Sequence, residues 1–403
     1  MTNQTRLIKN FLSLLSLRGL EFLIPLLTLP YLLRTIGVDN YGLVGFGYSF
    51  ALYFGAIAQY GFGVTATRDI ARNRQDHDAV SRLYSTILAT SALLALAAVS
   101  IALLIVLMFS NLRDAWVLHV LSLAHVMVQS MFPVWFFQGM ERMAFIAYLN
   151  LVSKVAFLVG LFLVVHTPND YIYVPLLNLI AASMVLGGSM WIVRSLFHVR
   201  IRQPGWSAVR KTLVTSRHAF LNQLAPNLYN NSATFMLGLF SGSYAVGLYT
   251  AVTKVVDAVS SLGYVISNTF LPYLSRSISS HRLFKRIMLS TGLLGSLGLF
   301  LGADLIGNLL HPTEGAEIAK LLRLACVSVF MVFAILTFGS NYLMLTNKET
   351  ISSRITLFTS MTFFLAALYL VPQFGLFGAL ATLVGARSVM AVAHFFAYRA
   401  TRS

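Results

Sequence analysis

Four basic residues lie in the middle of segments that are otherwise apolar enough to cross a membrane. They are Arg18, Lys154, Lys254 and Arg387. A charge at mid-membrane depth costs roughly 2.5–3.5 kcal/mol on the mildest scale, so four charges facing lipid would cost on the order of 10–14 kcal/mol, as much as the stability of a whole protein. We therefore expect these cations to line a water-filled interior, and a cationic interior predicts transport of an anion.

Two of these cations are followed three residues later by a carboxylate. Arg18 precedes Glu21, and Lys254 precedes Asp257; this spacing places each pair on one helix face. The pairs are either internal salt pairs that lower the cost of insertion, or cations that meet substrate phosphate beside carboxylates that exchange an ion or a proton. Burial favours protonation of a carboxylate, which makes coupling to a proton gradient possible. The other two cations have no acid nearby in sequence and require an anion or a remote partner.

Amide side chains are concentrated in the seventh apolar segment, around Pro226. They are Asn222, Gln223, Asn227, Asn230 and Asn231. Such a helix cannot face lipid on all sides. Its amides either form hydrogen bonds between helices or line a cavity wall that binds sugar hydroxyls. In the second interpretation Asn227 and Asn231 are candidate substrate-binding residues.

The elements that must position these residues are membrane helices. Of the 403 residues 57% are hydrophobic and 10% are charged, whereas soluble proteins carry about 25% charged residues. Apolar stretches of about 20 residues mark membrane spans. We predict an all-α polytopic membrane protein with about twelve spans, at 10–33, 42–64, 85–109, 115–138, 144–166, 173–196, 219–241, 247–273, 287–310, 318–345, 355–372 and 374–397.

Basic residues are distributed very unequally between the two sets of loops. Of the 29 lysines and arginines, 21 lie in the loops on the side of the termini and 3 lie in the opposite loops. The positive-inside rule therefore predicts a multi-pass membrane protein with both termini in the cytoplasm. The same asymmetry accounts for most of the net charge of +16, so nucleic acid is not a predicted partner, whereas anionic membrane lipids are.

A short glycine motif occurs twice. Gly37-Val-Asp-Asn-Tyr-Gly42-Leu43 and Gly242-Ser-Tyr-Ala-Val-Gly247-Leu248 both read G-x-x-x-x-G-L, 205 residues apart. Together with the span count, the motif predicts two six-helix halves, 1–198 and 219–403, joined by a cytoplasmic linker at 199–218. Parallel repeats of this kind place the substrate between the halves near the midplane. We therefore expect a central cationic cavity.

Motifs of enzymes and cofactor sites are weak in this chain. Asp76-His77-Asp78 reads D-x-D, but it sits in a short basic loop and is interpreted as solvated. The sequence contains no Walker motif, metal-ligand cluster or nucleophile elbow, so neither a cofactor nor an enzyme is predicted. The single cysteine, Cys326, lies in an apolar run and rules out an internal disulfide.

Several segments near the N-terminus resemble the bacterial O-antigen flippases (Wzx-type), which are polysaccharide transporters of the MOP superfamily. The resemblance rests on Pro25–Gly37, Tyr41-Gly42-Leu43, Tyr60-Gly61-Phe62-Gly63 and Thr67-Arg68-Asp69-Ile70-Ala71-Arg72. It covers roughly the first 75 residues by motif and the whole chain by span count, orientation and repeat. Arg18 matches the cavity cations of the family by its context in the first span.

The resemblance implies movement of an undecaprenyl-pyrophosphate-linked oligosaccharide from the cytoplasmic to the periplasmic leaflet, driven by an ion gradient. An O-antigen polymerase and a chain-length regulator are further possible partners. Four alternatives stay open: a flippase for another lipid-linked glycan such as lipid II or an exopolysaccharide, a multidrug antiporter, a membrane O-antigen polymerase, and a structural scaffold. The buried cations disfavour a drug antiporter, the short outer loops disfavour a polymerase, and a scaffold would not need buried charges.

Overall fold

In the structure, a computed structural model, helices are the only regular secondary structure among the residues that it describes. It describes the backbone of residues 3–274 and 281–402, and the side chains of these residues except 3–23, 25, 26, 111, 222, 224–230, 272 and 402. Every α-, 3-10 or π-helix lies within a few residues of a predicted span or in a connection between spans. The predicted all-α membrane fold is therefore confirmed.

Fifteen α-helices follow one another along the described chain. They are α1 Asn3–Gln59, α2 Phe62–Arg72, α3 His77–Met108, α4 Ser110–Arg113, α5 Trp116–Ser130, α6 Val134–Gly139, α7 Ala144–Val164, α8 Tyr173–Ser195, α9 Trp206–Phe240, α10 Gly242–Leu274, α11 His281–Leu301, α12 Ala303–Leu310, α13 Gly315–Ala325, α14 Val327–Ile335 and α15 Glu349–Arg402. A 3-10 turn, Pro168–Ile172, precedes α8, and a π-helix, Leu336–Leu343, follows α14.

Two of these helices are each a pair of spans joined at a kinked glycine. In α1 the kink is at Gly37, which has φ 80°, and in α15 it is at Gly375, which has φ 52°. Within the described residues, nine helical segments are long and apolar enough to cross a membrane. Counting the two kinked segments as two spans each, and adding the polar helix α9, gives the predicted twelve.

Close packing divides the chain into two compact units. Unit 1 consists of residues 1–43 and 232–403, and unit 2 consists of residues 44–231. These bounds differ from the predicted halves, because the first span and its kink belong to unit 1 and the first part of α9 belongs to unit 2. The division into halves at 198 and 219 stays a prediction about the repeat.

The two glycine loops of the repeat pack against each other inside unit 1. A Cβ on Gly42 would lie 2.7 Å from the carbonyl carbon of Ser243 and 2.7 Å from the backbone nitrogen of Gly247. In turn, a Cβ on Gly247 would lie 3.0 Å from the carbonyl carbon of Val38. Positions 38 and 243 are themselves 205 residues apart, so each loop packs on the equivalent residue of the other. The contact is therefore reciprocal between the two motifs, and the duplication itself stays a prediction.

Unit 2 is organised around an aromatic cluster beside the elbow between α1 and α2. The cluster contains Tyr84, Trp135, Phe136 and Phe137, all less than 10% exposed. The elbow forms because Tyr60 and the glycine after it both have positive φ, 42° and 72°. The Tyr60 ring stacks on Phe220 of α9, with centroids 4.7 Å apart. The Tyr60-Gly61-Phe62-Gly63 motif therefore holds the end of one span against two other helices.

Candidate functional site

A polar stripe runs along one face of α10 in unit 1. Its residues follow the alternating spacing of four and three that keeps side chains on one helix face. They are Thr250, Lys254, Asp257, Ser261, Tyr264 and Asn268. Four of the six are exposed in the chain, whereas Val252, Val255, Val256 and Val265 on the other faces are buried. A polar stripe of this length on a membrane helix is incompatible with a lipid-facing surface.

An ion pair joins this stripe to the last span. Arg387 of α15 donates from Nη2 to Oδ1 of Asp257 at 2.8 Å. The arginine side chain is 19% exposed and the aspartate side chain is 57% exposed, so the pair sits at the edge of the packed helices with the carboxylate open. A weaker contact of 3.4 Å links Arg387 to the hydroxyl of Ser328 on α14. The remote partner expected for Arg387 is therefore an acid 130 residues away in sequence.

Lys254 is the cation of the stripe itself. Its side chain is exposed, and it makes no ion pair with Asp257, although both residues lie in the described part of the chain. The internal salt pair that the three-residue spacing suggested does not form here, because Asp257 turns to Arg387 instead. The stripe itself therefore carries one exposed cation, Lys254, and one carboxylate, Asp257, and Arg387 of α15 adds a second cation beside it.

Lys154 is the predicted cation of unit 2. It lies half-buried on α7, one turn after Asn150 on the same face. The opposite side of α7 packs on α8, where Gly160 lies against Leu177: a Cβ on that glycine would be 2.7 Å from a methyl group of the leucine. Lys154 therefore lies on the side of its helix that faces away from α8.

The amides of the seventh span are only partly described. Gln223 donates from Nε2 to Oε1 of Gln59 at 2.9 Å, which is a hydrogen bond between helices of unit 2. Asn231 is half-buried on α9. The Gln223 contact favours the interpretation that these amides link helices, whereas a role for Asn231 in substrate binding stays a prediction.

Three predicted site residues lie outside the described side chains. They are Arg18 and Glu21 in the first span and Asn227 in the seventh. Their roles as substrate-binding and coupling residues stay predictions.

The D-x-D segment is the start of a helix. Asp76 caps α3, and its carboxylate accepts hydrogen bonds from the backbone N–H groups of Ala79 at 2.9 Å and Asp78 at 3.0 Å. The Ala79 bond is the main reason that the pKa of Asp76 is lowered. Asp78, in the first turn of α3, forms an ion pair with Arg202, which precedes α9. Both carboxylates therefore have structural partners, in agreement with the solvated-loop interpretation.

Two buried histidines inside the spans are not among the site residues predicted from charged and amide side chains. His119 on α5 is 1% exposed, and its Nδ1 has no hydrogen-bond partner in the described part of the chain. Its ring packs edge-on against Phe46 and Phe50 at 5.5 and 5.8 Å. His394 on α15 is equally buried and is hydrogen-bonded to Ser352 at 2.9 Å. A histidine in the middle of an apolar run was the available signal.

Two curated relatives of this chain are described as O-antigen transporters. A proposed O-antigen transporter of Escherichia coli (strain K12) is 28% identical over 325 residues, which cover 76% of this chain and 75% of the relative. A proposed O-antigen transporter of Shigella dysenteriae is 23% identical over 384 residues, 92% of this chain and 94% of the relative.

Solved structures show the same fold. The lipid II flippase MurJ in an inward closed conformation aligns with a TM-score of 0.78 at 11% identity, over 96% of this chain and 87% of that one. A multidrug resistance MATE family transporter of the MOP superfamily, in an inward-facing conformation, aligns with a TM-score of 0.66 at 15% identity, over 94% of this chain and 98% of that one.

These comparisons confirm the fold of MOP superfamily transporters. The descriptions of the two relatives as transporters are in line with the prediction of a transporter and not an enzyme. Residues 7–278 match the family described as polysaccharide biosynthesis protein, which is well over half of the chain. The chain therefore belongs to the polysaccharide biosynthesis protein family.

Proposed function

We propose that the protein is a flippase for undecaprenyl-pyrophosphate-linked O-antigen repeat units, moving them from the cytoplasmic to the periplasmic leaflet of the inner membrane by alternating access. The single observation that carries the proposal is the polar stripe of α10, with its exposed lysine and its Arg387–Asp257 pair. The two O-antigen relatives support the choice of substrate.

The chemistry of the substrate matches this surface. A polyprenyl tail can stay in the bilayer, whereas the pyrophosphate and the sugars need a hydrated path. Lys254 supplies a compact charge and Arg387 a planar fork, both of which suit phosphate oxygens. The hydroxyl and amide side chains farther along the stripe suit sugar hydroxyls.

The Arg387–Asp257 pair offers a way to couple transport to an ion gradient. An arriving pyrophosphate competes with the Asp257 carboxylate for the guanidinium. The carboxylate that is left without its cationic partner is then the group that exchanges a proton or a sodium ion. Release of the substrate restores the pair and expels the ion. In this proposal Glu21 serves beside Arg18 in the same way.

The first test is a lipopolysaccharide gel from a strain that lacks the gene, with and without the gene restored. Loss of all O-antigen, including the single-repeat band, supports a flippase, because no repeat unit reaches the periplasm. A single-repeat band without the ladder would mean that export persists and polymerisation fails, which contradicts the proposal. A normal ladder would move the assignment to another lipid-linked glycan or to a drug antiporter.

Point variants then test the site. We expect Lys254→Ala, Arg387→Ala and Arg18→Ala to reduce O-antigen export at unchanged protein level, whereas Lys254→Arg retains part of it. Lys320→Ala is the matched control, because it removes an exposed lysine of unit 1 that is on α13, lies over the Phe377 ring and is not a residue of the stripe. Export by the three alanine variants at the level of Lys320→Ala would refute the role of the cations.

The coupling carboxylates need a separate measurement. We expect Asp257→Asn and Glu21→Gln to weaken the dependence of transport on the pH or sodium gradient. A gradient dependence that is unchanged in both variants would remove these residues from coupling. The predicted orientation is tested by fusing alkaline phosphatase to the C-terminus, where a cytoplasmic end gives an inactive fusion.

A further inference from the structure

We infer that a pocket in unit 2, between α2, α3 and α9, binds a phosphate group carried by an anionic lipid. The pocket has a volume of about 380 Å³, within the range of small-molecule sites. Its polar lining includes Asp69 and Asn73 of α2, Arg82 and Thr86 of α3, and Lys211 and Thr215 of α9. It belongs to a different unit from the stripe of α10, and the inference does not depend on the proposed function.

The two cations of this pocket differ from the other basic residues around it. Nearby arginines are held by acids: Arg68 by Asp69 at 3.1 Å, and Arg74 by Glu141 at 2.7 Å. Among the described residues, neither the Arg82 guanidinium nor the Lys211 ammonium forms an ion pair or a side-chain hydrogen bond, although Asp76 attracts Arg82 from beyond bonding distance. The N–H groups of both therefore remain available to a ligand.

The side chains that line the pocket change from charged to apolar toward the predicted membrane spans. Arg82 and Lys211 precede the predicted apolar spans, which begin at 85 and 219, by about 4.5 and 12 Å along their helices. Phe62, Leu83 and Ile87 line the apolar part of the same pocket. Headgroups occupy a layer of about 5–7 Å on each side of the hydrocarbon. The backbone of Arg82 is expected to lie within that layer and the backbone of Lys211 outside it, with a long side chain that can extend toward the headgroups. A ligand with a phosphate beside an alkyl chain satisfies both parts, whereas a free phosphate satisfies only the outer part.

Asp69 is the one acid in the lining. Its carboxylate accepts from Arg68, so much of its charge is offset. The hydroxyls of Thr86 and Thr215 donate to the carbonyls of Arg82 and Lys211, at 2.8 and 2.9 Å, and are not free to donate to a ligand. Recognition therefore depends on the two cations, and Asp69 weakens it. This predicts that removal of the Asp69 charge strengthens binding, an effect that a purely structural role would not produce.

The test is a binding titration of the purified protein in detergent, in which the rise in Tm reports binding. The probes are phosphatidylglycerol, undecaprenyl phosphate, inorganic pyrophosphate and, as the zwitterionic comparison, phosphatidylcholine. Wild-type protein is expected to bind the anionic lipids. The Arg82→Gln/Lys211→Gln double variant is expected to bind them at least roughly tenfold more weakly, because two charge-assisted contacts are lost. Asp69→Asn is expected to bind them a few times more tightly.

Arg210→Gln is the matched control, because Arg210 is exposed and adjacent to Lys211 but does not line the pocket. It should change the affinity less than about twofold, which separates the pocket from general attraction by a basic surface. Stabilisation by phosphatidylglycerol or undecaprenyl phosphate identifies the lipid source, and stabilisation by pyrophosphate as well shows that phosphate alone suffices. Equal binding by the double variant, or equal stabilisation by phosphatidylcholine, would overturn the inference.

Discussion

The contact between the two glycine loops leads to a prediction about Gly247→Ala. The new Cβ would lie 2.8 Å from Cγ1 of Val38 and 3.0 Å from its carbonyl carbon, and closer still to its carbonyl oxygen, whereas ordinary contacts begin at 3.4 Å. The two backbones must therefore separate by more than half an ångström, because a backbone cannot rotate away as a side chain can. Overpacking of this kind lowers the free energy of unfolding by about 1–3 kcal/mol.

The assay is thermal unfolding of purified variants in the same detergent. With an unfolding entropy of about 2.1 cal/mol/K per residue, the expected fall in Tm is roughly 1–4 °C. Gly298→Ala is the matched control, because that glycine also lies in a membrane helix and a Cβ there meets nothing within 4 Å. We expect the control to leave Tm unchanged or to raise it, since alanine favours the helix.

A double variant makes the test specific for the reciprocal contact. Once Gly247→Ala has separated the loops, Gly42→Ala disturbs fewer contacts. The fall in Tm of the double variant should therefore be smaller than the sum of the falls of the two single variants. A Gly247→Ala variant as stable as Gly298→Ala would refute the close packing. Full additivity of the two alanine substitutions would refute the claim that both glycines belong to one contact.

Three further predictions concern the caps and buried groups. The pKa of Asp76 is lowered from its ordinary value of 3.8, so its carboxylate should cap the first turn of α3 fully above pH 3.8 and lose this effect as the pH falls through the lower pKa of the folded state. Amide hydrogen exchange in this turn should show that pH dependence in the wild type and should not show it in Asp76→Asn. Gly339→Ala should lower Tm relative to Gly187→Ala, because its Cβ would lie 2.7 Å from Nε2 of a hydrogen-bonded His394, whereas a Cβ at 187 meets nothing within 4 Å. Cys326, 4% exposed, should react with a maleimide only after unfolding, and full labelling of the native protein would contradict its burial.

The span pattern was predictable because hydropathy is a local property of the chain. The start of α7 at 144 and that of α8 at 173 agree with the predicted spans. The kinks also had a sequence signal, since Gly37 belongs to a recognisable motif. The less accurate boundaries are those of α3 and α9, which begin eight and thirteen residues before the predicted apolar parts. Both extensions are polar and continue the helix outside the hydrocarbon, where hydropathy carries no signal.

The candidate site was predictable in its residues and less so in its partners. Lys254, Asp257 and Arg387 were identified from charge and span position alone, because a charge in an apolar run stands out in any sequence. The polar stripe of α10 is also a sequence property, since the spacing of its residues is local. His119 was missed because a neutral buried histidine carries no formal charge.

By itself the sequence determined that this chain has about twelve membrane helices with cations inside them. The length of an apolar segment and the position of a charge within it are both local properties of the sequence. The tertiary structure decided which groups meet. Asp257 pairs with Arg387, 130 residues away, and not with Lys254 three residues away. Gly42 and Gly247 face each other across two helices. Both outcomes depend on how helices rotate and approach one another, and that information lies in packing between distant segments.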